Sequence, residues 1–498
     1  MPFVQNFPFF SIFIPILCAV VCLLLPGRVA QQVTIVCFVT VSVLSAALLA
    51  FTIAEGASFI YMMGNFPSPF GNEIRSGVLE AFMALLFSIV SFLSVLGGLS
   101  DAKKDIPKEK ITLFFLMQNL VLGAMLAIIY TNDIFTGYVF VDIITIAACS
   151  LVSFKPGGRT LAATAVYLIM SLIGSGLVLL SIAMLYGVTG HLLMPGLQAG
   201  VLALSNAGDY TMPLFVLIAL MTCGLAIKSA LFPFHSWLPD AHANATTTSS
   251  AVLSGLVIKC SLIFLLKLNY RVFGLSVLWQ LRLPHLLLAF GTAGIIAGSW
   301  MAMRQRNIKR MLSYSSIAQV GYISVAMSLN IDAGIAAACF HIAVHAVGKA
   351  MLFSAAGGLS AVSETKMDYD ALRGAAHRDP ISGAAFVLGG ISMVGIPPFA
   401  GFASKFYLAT AAVDTPFVIP VFIAVIVAGS VLSAMYYFPV IACILSKNED
   451  RVEPVKMHGS NCKTRGAALC MFMCITLLFS FFSQRVLQII LAGLAVFG

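Results

Sequence analysis

Charge is what this chain has least of. Asp, Glu, Lys and Arg make up 9% of its 498 residues, against 60% hydrophobic residues. No soluble core has the means to bury so much apolar surface. Period-two alternation is missing too. Apolar runs of about eighteen residues or more recur along nearly the whole length, so membrane-spanning helices are expected rather than a barrel. The eleven cysteines include no CxxC pair. The nearest, Cys18/Cys22 and Cys470/Cys474, are four apart within expected helices and read as small hydrophobes. There is no basic-aromatic tract, so nucleic acid is not an expected partner. No basic residue precedes Arg28, which a secretory signal would need, so the N-terminal apolar stretch is expected to remain as a first transmembrane helix. Its charge follows the helix, which points the N-terminus away from the cytoplasm.

What is present is an all-α polytopic pattern. Apolar runs bounded by Pro, Gly or charge predict about fourteen helices, near 8–25, 33–54, 78–99, 111–130, 134–154, 161–187, 212–232, 247–267, 286–303, 311–329, 333–361, 382–411, 417–446 and 467–495. An even number puts both termini on one side, here the outer side. On that topology 19 of the 28 Lys and Arg fall on inner loops and five, Arg75, Lys267, Arg271, Arg282 and Arg485, at or near the outer side. The positive-inside rule requires that direction of bias, and one helix more or fewer mid-chain would invert half of it. Gln484 and Arg485 interrupt the last run, which is therefore expected to kink or end early. The polar stretches 364–380 and 447–465 read as cytoplasmic linkers. The expected organisation is residues 1–110 as three N-terminal helices, 111–270 as helices four to eight, 271–446 as helices nine to thirteen, and 447–498 as a linker with the last helix.

Four basic residues, Lys228, Lys259, Lys349 and Lys405, fall inside the expected spans, joined by Glu80 in the third and Asp142 in the fifth. Each lysine near a bilayer midplane costs roughly 3 kcal/mol on insertion scales, so four of them point to a task. The seventh span carries Lys228 within it and is interrupted by Pro233 and Pro239; the twelfth has Pro397 and Pro398 before Lys405. Proline frees a carbonyl that lipid cannot satisfy but a cavity or neighbouring helix can. Broken helices at matched places in two halves point to an ion site in inverted-repeat transporters. Five helices is an odd number, so consecutive five-helix sets lie upside down relative to each other, with the broken helix fourth in each.

The eleventh span contains FHIAVHAVGKAMLF, in which His341, His345 and Lys349 step by four and share one helical face. Such a file can pass a proton through intervening waters, or it can simply be a polar seam between helices. A zinc site lacks the acidic partner and the HExxH motif, and a bis-histidine haem would need ligands on different helices. Asp142 and Lys228 read either as a transport pair or as an ion pair that fixes packing. His235 and His242 are either loop histidines or the entry of a proton path. Glu80 either joins Arg75 at the outer boundary or serves the main file.

The segments KSALFPFHSWLPDAHANATTTSSAVLSGLVIK, NIKRMLSYSSIAQVGYI, HIAVHAVGKAMLF and GIPPFAGFASKF closely resemble the antiporter-like subunits shared by Mrp-type sodium/proton antiporters, respiratory complex I and membrane-bound hydrogenases. The similarity covers roughly residues 110–445. It implies fourteen helices, two inverted five-helix repeats and broken seventh and twelfth helices. It also implies that Lys228 and Lys259 are the seventh- and eighth-helix lysines, that His341, His345 and Lys349 are the titratable file, and that Lys405 is the terminal lysine. The family places a glutamate where this chain has Asp142. The shorter side chain requires a closer approach, a bridging water or an altered half-channel.

The expected function is proton or Na+/H+ translocation along this axis. The chain itself is expected to carry no catalytic site, cofactor or metal, so any redox chemistry must come from a partner. The partners expected are other membrane subunits, paralogous antiporter-like chains and a hydrogenase or redox arm, in the inner membrane of a prokaryote. The rivals are a stand-alone secondary transporter of a small solute, which would need a roomy midplane cavity, and a scaffold subunit that has lost transport, for which Asp142 would be the sign.

Overall fold

The computed structural model describes residues 3–66, 71–208, 210–413, 419–446 and 460–497. Apolar composition dictates helix almost throughout, because within a bilayer each backbone N–H must find its partner in its own segment. α1 (Phe7–Cys22) and α2 (Gly27–Glu55) lead to a short hairpin, β1 (Phe59–Met62) paired antiparallel with β2 (Glu73–Ser76). α3 (Val78–Asp105), α4 (Ile111–Tyr130), α5 (Ile134–Ser153) and α6 (Gly158–Thr189) follow, then α7 (Met194–Ala207). α8 (Thr211–Lys228) and α9 (Trp237–Asn244) flank the first break. α10 (Thr247–Val252) runs through a π-helical turn, Leu253–Val257, into α11 (Ile258–Leu268), a second π turn, Asn269–Phe273, and α12 (Leu275–Gln280). Then come α13 (Leu283–Met303), α14 (Ile308–Met327), α15 (Asp332–Ala361), α16 (Ala375–Arg378), and α17 (Pro380–Val394) with α18 (Ala400–Val413) across the second break. α19 (Ile419–Leu445), α20 (Ser460–Phe481) and α21 (Ser483–Ala495) complete the chain.

Twelve helical stretches among the described residues are long and apolar enough to cross a membrane. α14 and the α17–α18 pair occupy the two further places where the sequence pattern predicts spans. Thr247–Phe273 and α15 are wholly enclosed by other helices, whereas α1, α2, α6, α13, α19 and α20 present much of their apolar surface outward. Lys259 and the file of His341, His345 and Lys349, the middle of the polar axis expected from sequence, thus fall on the most enclosed helices.

Several boundaries differ from the sequence expectation. The seventh span stops at Lys228 instead of continuing to 232, so this lysine ends its helix rather than sitting within it. Pro239 does not break anything. It lies in the first turn of α9, where a missing N–H leaves no intrahelical bond unmade. The last span divides at Phe482, just ahead of Gln484 and Arg485. Lys447, Arg451 and Lys456 of the expected linker lie outside the described residues.

Two glycine pairs set helix spacing. A Cβ on Gly224 of α8 would stand 2.6 Å from the Gly174 carbonyl of α6, and one on Gly321 of α14 would stand 2.6 Å from the Gly291 carbonyl of α13. Small residues that let backbones approach this closely are how membrane helices gain packing energy without a hydrophobic drive. A Cβ on Gly174 would also meet Cγ of Lys228 at 3.3 Å, so the same contact fixes that lysine's stem. Gly224→Val is therefore expected to cost about 1–3 kcal/mol by overpacking, read as a lower Tm of the solubilised assembly; an unchanged Tm would show that α6 and α8 separate freely.

Candidate functional site: a row of buried cations

Lys228 closes α8, and its side chain crosses to α5. Its Nζ donates to Thr145 Oγ1 at 2.7 Å and lies 3.3 Å from Asp142 Oδ1. Thr145 and Asp142 are three apart on α5 and share a face. Asp142 also accepts from the Ser175 hydroxyl of α6. The shorter carboxylate therefore reaches the lysine directly. The two partners differ in surroundings: the Lys228 side chain is 3% exposed and that of Asp142 30%. The carboxylate sits on the outer edge of the α5–α6 layer and the ammonium behind it.

Behind Lys228 lies a cavity of about 10 Å³ bounded by Thr145, Ser171, Tyr167, Val257 and Ser261, room for roughly one water. Ser261 is two residues beyond Lys259 on the fully enclosed α11. Lys259 Nζ donates to the carbonyl of Ser254, inside the first π turn. A π turn shifts the ladder register, and Ser254 offers its oxygen to a side chain five residues on. The Ser254 hydroxyl meets Ser316 of α14 at 2.8 Å. Lys259 lies within electrostatic range of His242, His341, His345 and Lys349, which makes it the hub of the row.

α15 carries the predicted file on one face. The rings of His341 and His345 are 6.1 Å apart between centroids. His341 Nδ1 meets Ser404 Oγ of α18 at 2.5 Å, and its ring lies 5.7 Å from that of Tyr322. Neither ring nitrogen of His345 has a protein partner among the described residues. Lys349 donates to the Leu312 carbonyl at 2.9 Å, Ser315 Oγ at 2.8 Å and Tyr437 OH at 3.3 Å. Lys405 stands across the second break. Its Nζ donates to the carbonyls of Met393 at 3.2 Å and Val394 at 2.8 Å, the last two residues of α17, and to Ser430 Oγ at 3.0 Å. It also lies 4.8 Å above the Tyr322 ring. Gly395, at φ +90°, lets the chain turn there with Lys405 Nζ packed beside it.

The accessory candidates separate. His242 is fully buried with both ring nitrogens unpartnered among the described residues, its ring 4.9 Å from that of Phe353, and it belongs with the row. His235 packs on Phe232 at 5.2 Å in the first break. Glu80 is not in the row. It pairs with Arg75 at 3.4 Å and accepts from the Gly77 N–H at 3.0 Å, while Arg75 donates to the Phe497 carbonyl at 2.8 Å. That network ties the hairpin and the start of α3 to the end of α21.

Sequence reasoning did not anticipate the burial of two lysines. Lys267, expected at or near the outer side, is buried because the second π turn carries the helix past it. It donates to the carbonyls of Ile129, at 2.8 Å, and Thr131, at the end of α4. Lys309, assigned to an inner loop, is buried and donates to the Ala245 carbonyl that closes α9, at 2.9 Å. Both satisfy helix-end oxygens. The available signal was apolar neighbours on both sides of Lys267, in FLLKLN, and Ile308, Met311 and Leu312 around Lys309, in NIKRML.

A double-mutant cycle checks the Lys349 contact. Lys349→Met with Ser315→Ala is expected to show a coupling of about 0.6–1.7 kcal/mol, the range of interhelical hydrogen bonds in membranes. A coupling of zero in equilibrium unfolding would remove Ser315 as a partner of the lysine.

Other proteins share this chain's features. The family model described as NADH:quinone oxidoreductase/Mrp antiporter, TM, matches residues 131–433. NADH-quinone oxidoreductase subunit N of Desulforudis audaxviator is 33% identical over 396 residues, covering 80% of this chain and 77% of that one. A Na(+)/H(+) antiporter subunit of Alkalihalophilus pseudofirmus is 28% identical over 417 residues, covering 82% and 81%. Among solved structures, a chain of the membrane-bound sulfane sulfur reductase, an archaeal respiratory membrane complex, superposes with a TM-score of 0.84 at 26% identity, covering 99% of this chain and 96% of that one. A chain of the Mrp complex from Dietzia sp. DQ12-45-1b has the same fold, with a TM-score of 0.86 at 20% identity and coverage of 99% and 97%.

Proposed function

This chain belongs to the transmembrane family of NADH:quinone oxidoreductases and Mrp antiporters, and from that premise we propose that it is a proton- or Na+/H+-translocating, antiporter-like subunit of a multisubunit membrane complex. The observation that carries the reading is the Asp142–Lys228 pair at one end of an otherwise all-basic row. An ammonium and a carboxylate 3.3 Å apart hold a proton on the lysine. Drawing the carboxylate away leaves the same nitrogen in surroundings that favour releasing it. Asp142, at the edge of the layer, is the member of the pair that a neighbouring subunit can move.

A proton released from Lys228 enters the small cavity toward Ser261 and Lys259. It then passes to the His341, His345 and Lys349 group and leaves by Lys405. Tyr322, between His341 and Lys405, and Ser404, on His341, line that last step. Moving one charge against 100 mV requires about 2.3 kcal/mol, within the range that making or breaking a buried ion pair supplies. The cavity beside Lys228 suits a water and not a solute, which favours a proton wire over a stand-alone solute carrier. The driving partners on this reading are paralogous membrane subunits or a redox arm such as a hydrogenase. The complex lies in the inner membrane of a prokaryote with both termini of this chain on the outer side.

Lys228→Ala, in the intact complex reconstituted into liposomes, is expected to abolish coupled transport while native gels show normal assembly; pumping or antiport at the parental rate would sink the scheme. Asp142→Asn should lower transport by about tenfold or more, and Asp142→Glu should keep a substantial part of it. If Asp142→Asn transports as well as the parent, the carboxylate is structural only.

A further inference from the structure

Away from the row, two concave surfaces follow one another along a single face of the N-terminal helices. The first is a pocket of about 360 Å³ where α2 begins and α3 ends, lined by Arg28, Gln31, Lys103 and Lys108 with no carboxylate. None of its three cations is engaged in an ion pair among the described residues, whereas nearby Asp105 is held by Lys155 and Asp101 by Arg465. The second is a groove of about 530 Å³ between α2, α3 and α20, lined by apolar side chains that include Val39, Val43, Phe92 and Met471, with Cys470 and Cys474 at its α20 edge.

Helical geometry aligns the two. Eleven residues are close to three turns, which returns a side chain to within about 20° of the same direction, about 16 Å along the axis. That step separates Arg28 from Val39 on α2, Phe92 from Lys103 on α3, and Lys463 from Cys474 on α20. Arg465, near the start of α20, donates to the Gly97 carbonyl of α3 at 3.2 Å, so α20 brings Lys463 to the same end as the pocket. Each of three helices thus carries a cation at one end and groove lining three turns further on. One leaflet of hydrocarbon is about 15 Å deep, so a molecule with its headgroup among the cations would lay the distal part of an acyl chain in the groove.

We propose that this face is a binding site for a phospholipid with an anionic headgroup, its phosphate held by Arg28, Lys103 and Lys108 and one acyl chain seated between α2, α3 and α20. Charge complementarity selects the headgroup, and the depth of the groove selects a chain. Basic residues close to a membrane surface attract anionic lipid by roughly fivefold each. The site lies apart from the lysine row, so it stands whether or not the transport scheme does.

The test uses the intact complex extracted in detergent and incubated with equal phosphatidylglycerol and phosphatidylcholine, with bound lipid counted by native mass spectrometry on this chain. Phosphatidylglycerol should be retained at least about tenfold over phosphatidylcholine. Arg28→Gln/Lys103→Gln/Lys108→Gln should bring the ratio near one, and the single exposed change Arg28→Gln should lower it by about fivefold. Val43→Trp, which fills the groove and leaves the cations, should lower occupancy by both lipids. Glycerol phosphate without acyl chains should fail to displace the lipid. A parental ratio near one, or a ratio untouched by the glutamine changes, overturns the proposal. Cross-linking of Cys470 or Cys474 to another subunit in native membranes would also overturn it, because a partner helix would then occupy the groove.

Discussion

A buried ammonium has to find oxygen, and inside a bilayer it finds it where helices end or lose register. Lys267 takes the carbonyls at the close of α4, Lys309 the one that closes α9, Lys405 the last two of α17, and Lys259 a carbonyl within a π turn. Lys349, in the middle of an unbroken helix, instead takes two hydroxyls and one carbonyl from its neighbours. The breaks and π turns are therefore the means by which so many cations are held without a carboxylate beside each. An unbroken bundle would leave such cations only the second lone pair of carbonyls already bonded within a helix, as Lys349 has at Leu312, and removing a buried charge's partners is strongly destabilising.

This division separates cations that cap from cations that form a series. Lys267 faces a helix end away from the histidines and Lys309 one near His242, whereas Lys259, Lys349 and Lys405 all lie within electrostatic range of α15's histidines. His242 joins them from the segment after the first break and faces Lys259, Lys309 and Lys349 together.

Much of this was legible in the sequence because its signals are local. Continuous apolar runs located the spans, and the four-residue spacing of His341, His345 and Lys349 placed them on one face whatever that face met. Features that depend on a distant partner were not legible. The end of α8 at Lys228 depends on the Trp237 indole donating to the Ile227 carbonyl at 3.1 Å and stacking on Tyr167 at 4.2 Å. The burial of Lys267 depends on a π turn that no propensity announces. The hairpin strands are four residues each, and α7, MPGLQAGVLALSNA, is 14 residues long, too short to read as a membrane span. Glu80 and Arg75 suggested a local pair, but their link to the far end of the chain is set only by the fold.

The two breaks also explain why the row has a single acid. At the first, the terminal carbonyls of α8 are already used: Leu225 accepts from the Ser229 N–H, Ala226 from Leu231, and Ile227 from both Ala230 and Trp237. Lys228, at the end of that helix, turns to Thr145 and Asp142. At the second, the chain after Val394 turns back onto Ile391 and Ser392, which leaves the Met393 and Val394 carbonyls for Lys405. Both lysines stand at the negative end of a helix dipole. One of them depends on a part-exposed carboxylate and the other on two backbone carbonyls and the Ser430 hydroxyl of α19. Of the two ends of the row, among the described residues only the Asp142 end sets a countercharge against its lysine.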